Sequence, residues 1–254
     1  MLKIIVVGYL GRLGGSICRL AETMADVEVV AGVDLVENAQ SNTFPTYQGI
    51  FDCVAEADCI IDCSIAPTVP DRIDYALKTA TPLVVCTTGL SAETISFLNS
   101  ASKKIPVFRS ANMSLGINLI CSLSEKLARI LPNAGFDIEI IEKHHNQKLD
   151  APSGTALMLA DAINHAGGGD YEYIYDRSNT RAVRGKKELG IHAIRGGTII
   201  GDHDVVFAGT DEVIEIKHSI ASREAFAVGA LKAALYTASK PPGLYDMRML
   251  IDEA

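Results

Sequence analysis

Short β-branched apolar runs, most of them separated by amphipathic helix-length stretches, limit most strongly what this chain can fold into. Residues 3–7, 27–33, 58–64, 82–86 and 105–108 each read as a strand buried on both faces, and helical patterns follow at 16–25, at 71–79 and after Ser91. Ser91 suits an N-cap, although Thr94 rather than Glu or Gln stands three residues on. Repeated β-α-β units imply a parallel sheet with right-handed crossovers, hence an α/β, Rossmann-like first domain.

A glycine turn follows the first run: Gly8-Tyr9-Leu10-Gly11-Arg12-Leu13-Gly14-Gly15. Glycines at a strand-to-helix turn let the backbone approach a pyrophosphate, and the unpaired amides of the helix start face that anion. The GxxGxxG spacing departs from the usual GxGxxG, and taken alone it also describes a tight packing turn. Position favours the ligand. The strand at 27–33 leads into Asp34, 20 residues after Gly14, where dinucleotide-binding folds place an acid for the ribose hydroxyls. Leu35 and Val36 follow, with no neighbouring Arg or Lys to neutralise a 2′-phosphate that Asp34 would repel. NADH is therefore expected over NADPH. Ligands of parallel sheets lie at the carboxyl ends of strands, so the turns at 8–15, 64–68, 87–89 and 111–114 are expected to converge on one crevice, with Thr87 and Thr88 as cofactor contacts.

After residue 115 the pattern changes. A helix at 116–131, with Leu119, Leu123, Leu127 and Ile130 on one face, stops before Pro132. Strands follow at 137–142, 190–195, 204–208 and 212–219, the last three divided by Gly196-Gly197 and Gly209-Thr210-Asp211. Such turns suggest an antiparallel meander. The second domain is thus expected over 116–222, an α+β unit with a mostly antiparallel open sheet, and residues 223–254 return to the first. Placing cofactor and substrate on separate domains would let closure unite them and exclude water.

Glu142-Lys143-His144-His145-Asn146-Gln147-Lys148-Leu149-Asp150-Ala151-Pro152-Ser153-Gly154-Thr155-Ala156 concentrates groups that folding does not require. Ser153 or Asp150 can cap the helix that starts here, and that helix start offers amides and a positive dipole end to a carboxylate. Imidazole titrates near neutrality, so a histidine can hand over a proton, and Lys148 can carry a proton or anchor an anion. A metal site from His144, His145, Asp150 and His165 is disfavoured, because adjacent residues on an extended chain point to opposite sides. By the same rule His192 does not join Arg195, a further candidate anion partner. No metal is expected.

Charge and cysteine usage narrow the classes. A net charge of −8 opposes a general nucleic-acid binder but permits a local cationic pocket. The N-terminal apolar run is too short for a signal peptide, and no run of membrane-spanning length occurs, so no membrane partner is expected. Six cysteines without a CxxC pair read as reduced and mostly buried, which fits the cytoplasm.

The 142–156 run resembles the signature of the bacterial dihydrodipicolinate (4-hydroxy-tetrahydrodipicolinate) reductases. The likeness extends through the Gly8 loop, Thr87-Thr88-Gly89, residues 111–118, Arg195-Gly196-Gly197 and Ser222-Arg223. It implies reduction of a cyclic, unsaturated dicarboxylate by NADH or NADPH in diaminopimelate and lysine biosynthesis, by a homotetramer. It also implies His144 as acid–base residue and Lys148 as proton donor. Carboxylate binding would fall to His145, Ser153, Gly154 and Thr155. Cofactor contacts would come from Gly8, Tyr9, Leu10, Gly11, Arg12, Leu13, Asp34, Thr87, Thr88, Gly89, Ala111, Asn112, Met113 and Ser114. Tyr9 and Leu10 replace smaller residues of the family's loop, Leu35 stands where many relatives carry arginine, and Cys86 replaces a usual glycine. The residues themselves leave open a related two-domain dehydrogenase of another small acid or imine, such as an aspartate-type enzyme, and a non-catalytic NAD-binding regulator.

Overall fold

β1 (Leu2–Val7) shows why the first part of the chain layers helices on both faces of a sheet. Side chains alternate along a strand, and Ile4 and Val6 join one apolar cluster while Ile5 and Val7 join another, all four at most 1% exposed. The computed structural model describes residues 1–36 and 42–253. The chain divides into two compact units, Met1–Leu115 with Arg223–Ala254, and Gly116–Ser222.

In the first unit, α1 (Arg12–Ala21), β2 (Val27–Val33), β3 (Thr46–Tyr47), β4 (Cys59–Asp62), α2 (Val69–Thr79), β5 (Leu83–Val85), α3 (Ala92–Ala101) and β6 (Pro106–Arg109) follow β1. After the second unit, with α4 (Leu115–Ile130), β7 (Asp137–His144), α5 (Gly154–Ala166), β8 (Glu172–Ile174), β9 (Glu188–Arg195), β10 (Gly201–Ala208) and β11 (Val213–Ile220), the chain adds α6 (Glu224–Ala238), β12 (Gly243–Tyr245) and α7 (Met247–Asp252) to the first. The first unit's sheet has seven strands in the order β12-β6-β5-β4-β1-β2-β3, and every pairing is parallel. Ile4, Val6 and Ile61 pack with Ile17 of α1 and with Ala227, Ala230 and Leu231 of α6. Ile5, Val7 and Ile60 pack with Ile73 and Ala76 of α2 and Leu98 of α3. Alanines and a glycine let α6 approach closely: a Cβ on Gly229 would lie 1.7 Å from the Met113 carbonyl oxygen. Ser91 caps α3, its Oγ accepting from the Thr94 amide at 3.2 Å.

The second unit's sheet is mixed, in the order β11-β10-β7-β9-β8. β10 runs antiparallel to β11 and to β7, whereas β9 runs parallel to β7 and β8 parallel to β9. Ile138, Ile140, Leu189, Ile191, Val205 and Phe207 bury one face beneath Ile117 and Ile120 of α4 and Leu159 and Ile163 of α5.

Four expectations need correcting. α1 begins at Arg12, not at 16, because Gly11 in extended conformation is its N-cap and Gly14 and Gly15 lie inside the helix. Reading glycines as loop formers delayed the start. The short edge strand β3 was not foreseen. No complete meander forms, because β7 lies between β9 and β10 in the sheet. Finally, α4 buries Ile117, Ile120, Ser124 and Ala128, while Leu119, Leu123 and Ile130 are exposed and Leu127 is half-buried. The leucines marked the wrong stripe, since the face against the sheet combines Ile117 and Ile120 with the smaller Ser124 and Ala128. Among the described residues no helix is long and apolar enough to cross a membrane. Cys18, Cys53 and Cys59 are buried, Cys63, Cys86 and Cys121 half-buried, and all six are free.

Candidate active site

Parallel β7 and β9 end on the same sheet edge, where antiparallel β10 begins. In register, His144 lies opposite Arg195 and Glu142 opposite His203. The connection from β9 to β10 is held to the end of β7: the Gly196 amide donates to the His144 carbonyl (2.9 Å) and the Asn146 amide to that of Gly197 (3.2 Å). This edge gathers side chains that lie far apart in sequence.

Glu142 is their hub. Its carboxylate is fully buried and accepts four hydrogen bonds: from His144 Nδ1 at 2.6 Å, from two Arg195 nitrogens at 2.7 Å each, and from the Ser153 amide at 3.0 Å. Burial pushes the carboxyl pKa up, but Arg195, His144 and the Ser153 amide outweigh it and hold Glu142 below the ordinary glutamate value. A carboxylate only accepts, so His144 carries a proton on Nδ1, and Nε2 is left for exchange. Nε2 faces Gly201, where a Cβ would stand 3.1 Å from it. Arg195 also donates to the Asp150 carbonyl at 2.7 Å, which ties the β7–α5 loop to the hub. In that loop the Lys148 ammonium pairs with the Asp150 carboxylate at 2.8 Å, holding Asp150 below its ordinary value.

Behind His144 stands His203, 3% exposed, with the two rings edge-on at 5.3 Å. Burial first, and then the neighbouring His144, lower its pKa to about 4, so it is neutral at pH 7. Ser153 caps α5 by accepting from the Ala156 amide at 3.1 Å, and its Oγ lies 3.2 Å from His203 Nε2. His145 is half-buried. Gly154 and Thr155 open α5, and a Cβ on Gly154 would meet nothing within 4 Å. An anion can therefore approach the positive end of that helix. As expected, His192 goes elsewhere, to Glu139 at 2.8 Å.

The first unit holds a second feature, a cleft of about 310 Å³ lined by the glycine turn (Gly8, Leu10, Gly11), Asp34, Leu35, residues 63–65 and Arg72. The glycines are sterically required. Gly8 has φ +79° and a Cβ there would lie 2.6 Å from the Cys63 carbonyl oxygen; one on Gly14 would lie 2.2 Å from that of Gly8. α1 therefore starts against the turn with no side-chain cap. Asp34 accepts from the Leu10 amide at 3.1 Å. These residues fit a dinucleotide.

Other expected contacts lie outside this lining. Tyr9 is 5% exposed and packs edge-on with Phe44, over Gly32, so its ring belongs to the core. Arg12 is exposed and Leu13 half-buried against the core. Thr87 is buried and donates to Asp62 at 2.5 Å; Thr88 and Gly89 are exposed. Ala111 is exposed, Asn112 accepts from the Ser114 amide at 2.8 Å, and Met113 is buried. The neighbouring Cys86 thiol and burial together push the Cys63 thiol well up. Glu142, His203 and Arg72 were not singled out from sequence. A strand glutamate, a strand histidine and a helix arginine are ordinary in any chain, and only register and packing bring them to a site.

Both parts of the chain have counterparts among known proteins. The model of the dihydrodipicolinate reductase N-terminus matches residues 2–113, and that of its C-terminus residues 116–251. The 4-hydroxy-tetrahydrodipicolinate reductase of Caldanaerobacter subterraneus subsp. tengcongensis is 50% identical over 251 residues, covering 99% of this chain and 98% of the relative. That of Clostridium tetani is 48% identical over 253 residues, with 99% and 98% coverage. A dipicolinate-bound dihydrodipicolinate reductase from Paenisporosarcina sp. TG-14 superposes with a TM-score of 0.82 at 21% identity, covering 97% of both chains. The aspartate dehydrogenase of Thermotoga maritima gives 0.53 at 13% identity, with 95% and 98% coverage.

Proposed function

The chain belongs to the dihydrodipicolinate reductase family, and on that premise we propose that it reduces 4-hydroxy-tetrahydrodipicolinate to tetrahydrodipicolinate in the diaminopimelate–lysine route. The net change is loss of water and gain of a hydride and a proton. When bound, a nicotinamide dinucleotide supplies the hydride. The protein has to hold two carboxylates and provide the proton.

In this reading His144 is the acid–base residue. Glu142 fixes its Nδ1 proton, which leaves Nε2 as the exchanging atom. Lys148 holds the delivered proton on Nζ, released when its pairing with Asp150 gives way to substrate. His145, Gly154 and Thr155 take a substrate carboxylate, helped by the α5 dipole, while Ser153 shapes the helix start. Gly8, Leu10, Gly11 and Asp34 hold the dinucleotide, Tyr9, Arg12 and Leu13 contribute through the backbone of the turn, and Thr87, Thr88, Gly89 and Ala111, Asn112, Met113, Ser114 follow farther along the strand ends. Asp34 followed by Leu35 favours NADH. Assembly as a cytoplasmic homotetramer completes the proposal, and light scattering of the purified protein tests it.

The observation that carries this reading is the buried Glu142 carboxylate, which joins His144, Arg195 and the head of α5 in one network. A coupled assay with the synthase that makes the substrate, following NADH and NADPH oxidation in parallel, is the test. Turnover with a higher kcat/KM for NADH is expected. Turnover with neither overturns the reductase reading, and an NADPH value about tenfold above that for NADH overturns the preference.

A further inference from the structure

Arg72 is a residue of the first unit that its own fold leaves unexplained. It comes from the first turns of α2, is 4% exposed and lines the cleft beside the glycine turn and Asp34. A guanidinium carries five N–H donors and stays charged under all ordinary conditions. Buried ones are normally paired and hydrogen-bonded, because removing a charge from water without partners costs several kcal/mol.

Arg72 lacks those partners. Its Nε is buried without an acceptor, and its ion contact, to Asp71, is long at 3.7 Å. The buried carboxylate in electrostatic range, Asp62, is engaged elsewhere: Oδ1 accepts from Ser64 and Oδ2 from Thr87, each at 2.5 Å. Asp34 has its Oδ2 on the Leu10 amide. Among the described residues Arg72 is thus a desolvated cation in the wall of a nucleotide-sized cleft, without a hydrogen-bonded anion.

We propose that Arg72 is an anion-binding residue of this cleft, its guanidinium pairing with a phosphate of the bound dinucleotide. The inference rests on the dinucleotide reading above. Two phosphate sources on one ligand share this chemistry, the pyrophosphate that the Gly8–Gly11 turn would hold and a 2′-phosphate on the ribose beside Asp34. The second matters for specificity. Leu35 offers no charge, and Arg72, 38 positions after Asp34 in sequence, is the cation that would offset Asp34's repulsion of that group.

Titration calorimetry on the full-length protein separates these cases, with ADP reporting the pyrophosphate and adenosine 2′,5′-bisphosphate the 2′-phosphate. Arg72→Gln is expected to weaken at least one probe by about tenfold or more, as loss of a charge-assisted contact does. Arg72→Lys, which keeps the charge but not the fork, should fall in between. Weakening of the bisphosphate alone assigns the 2′-phosphate; weakening of ADP assigns the pyrophosphate. Wild-type affinity for both probes in Arg72→Gln overturns the inference and leaves the cofactor reading intact, whereas a wild-type protein that binds neither probe removes that reading as well. Thermal melts without ligand give an independent check. Removing an unpaired buried charge should leave Tm unchanged or raise it in Arg72→Gln and Arg72→Met, and a drop of several degrees in both would make Arg72 a structural residue and overturn the assignment.

Discussion

Two arginines behave in opposite ways in this molecule. Arg195 in the second unit meets a buried carboxylate with two parallel hydrogen bonds and a backbone carbonyl with a third. Arg72 in the first unit is more secluded, 4% exposed against 20% for the Arg195 side chain, and donates none among the described residues. The first arrangement pairs the arginine's terminal nitrogens with Glu142 before any ligand arrives, leaving only its Nε without an acceptor among the described residues, and through Glu142 it positions His144 in one tautomer. The second is incomplete and carries a standing electrostatic cost that an incoming anion would relieve. Preorganisation of a proton carrier and recognition of a charged ligand thus place different demands on the same side chain.

The largest effect that could break this contrast comes from Arg195→Met. It strands the Glu142 charge in the interior, so a loss of about 3–5 kcal/mol in denaturant unfolding is expected; a loss below 1 kcal/mol would show that the hub does not support the fold. A related effect follows pH. His203 has a folded-state pKa of about 4 against an ordinary 6.5, so between these values the unfolded chain binds more protons. Its contribution is fully present above pH 6.5 and is lost as pH falls toward 4, by at most about 3 kcal/mol. Glu142, held below its ordinary value, adds a loss in the same direction at still lower pH. His203→Asn should flatten the slope of stability between pH 6.5 and 4, and an unchanged slope would remove His203 as its source. Catalysis comes next. His144→Gln is expected to lower kcat by on the order of 10²-fold with little change in stability, which stopped-flow or steady-state assays can check against Tm.

The smallest effect contrasts two neighbouring glycines. Gly14→Ala drives a Cβ to 2.2 Å from the Gly8 carbonyl oxygen and should destabilise by about 1–3 kcal/mol. Gly15→Ala meets only ordinary contacts, the nearest at 3.4 Å, and should gain up to about 1 kcal/mol from helix propensity. Equal effects of the two substitutions would show that the turn does not need its close backbone contact.

How far each region could be read from sequence follows the same division. Five of the first unit's seven strands, its capping Ser91 and the Asp34 position were legible, because a parallel sheet repeats local signals and its nucleotide turn is made of backbone; the short edge strands β3 and β12 were not. Four of the second unit's five strands were found, β8 being missed, and their neighbours were not. Gly196-Gly197 looks like a hairpin turn, yet β7 comes between β9 and β10, and nothing local encodes a parallel β7–β9 pairing across some fifty positions. The run at 142–156 announced proton carriers without revealing that Glu142, its first residue, organises them. The buried face of α4 and a secluded helix arginine were missed because periodicity weighs size and charge type rather than surroundings.

The first unit is split by the second, and this has a consequence for synthesis. β12 at one edge of the sheet and α6 over Ile4, Val6, Val84 and Phe108 come from the last part of the chain. While the ribosome is still making residues 116–222, one face of the nascent sheet lacks the helix that will seal it. That face is open to chaperones and to misassociation until Arg223 and its successors emerge. Premature termination inside the second unit would therefore leave a nucleotide cleft framed on a sheet without half of its cover, and the cell would sense the missing terminus as an exposed greasy surface rather than as a missing activity.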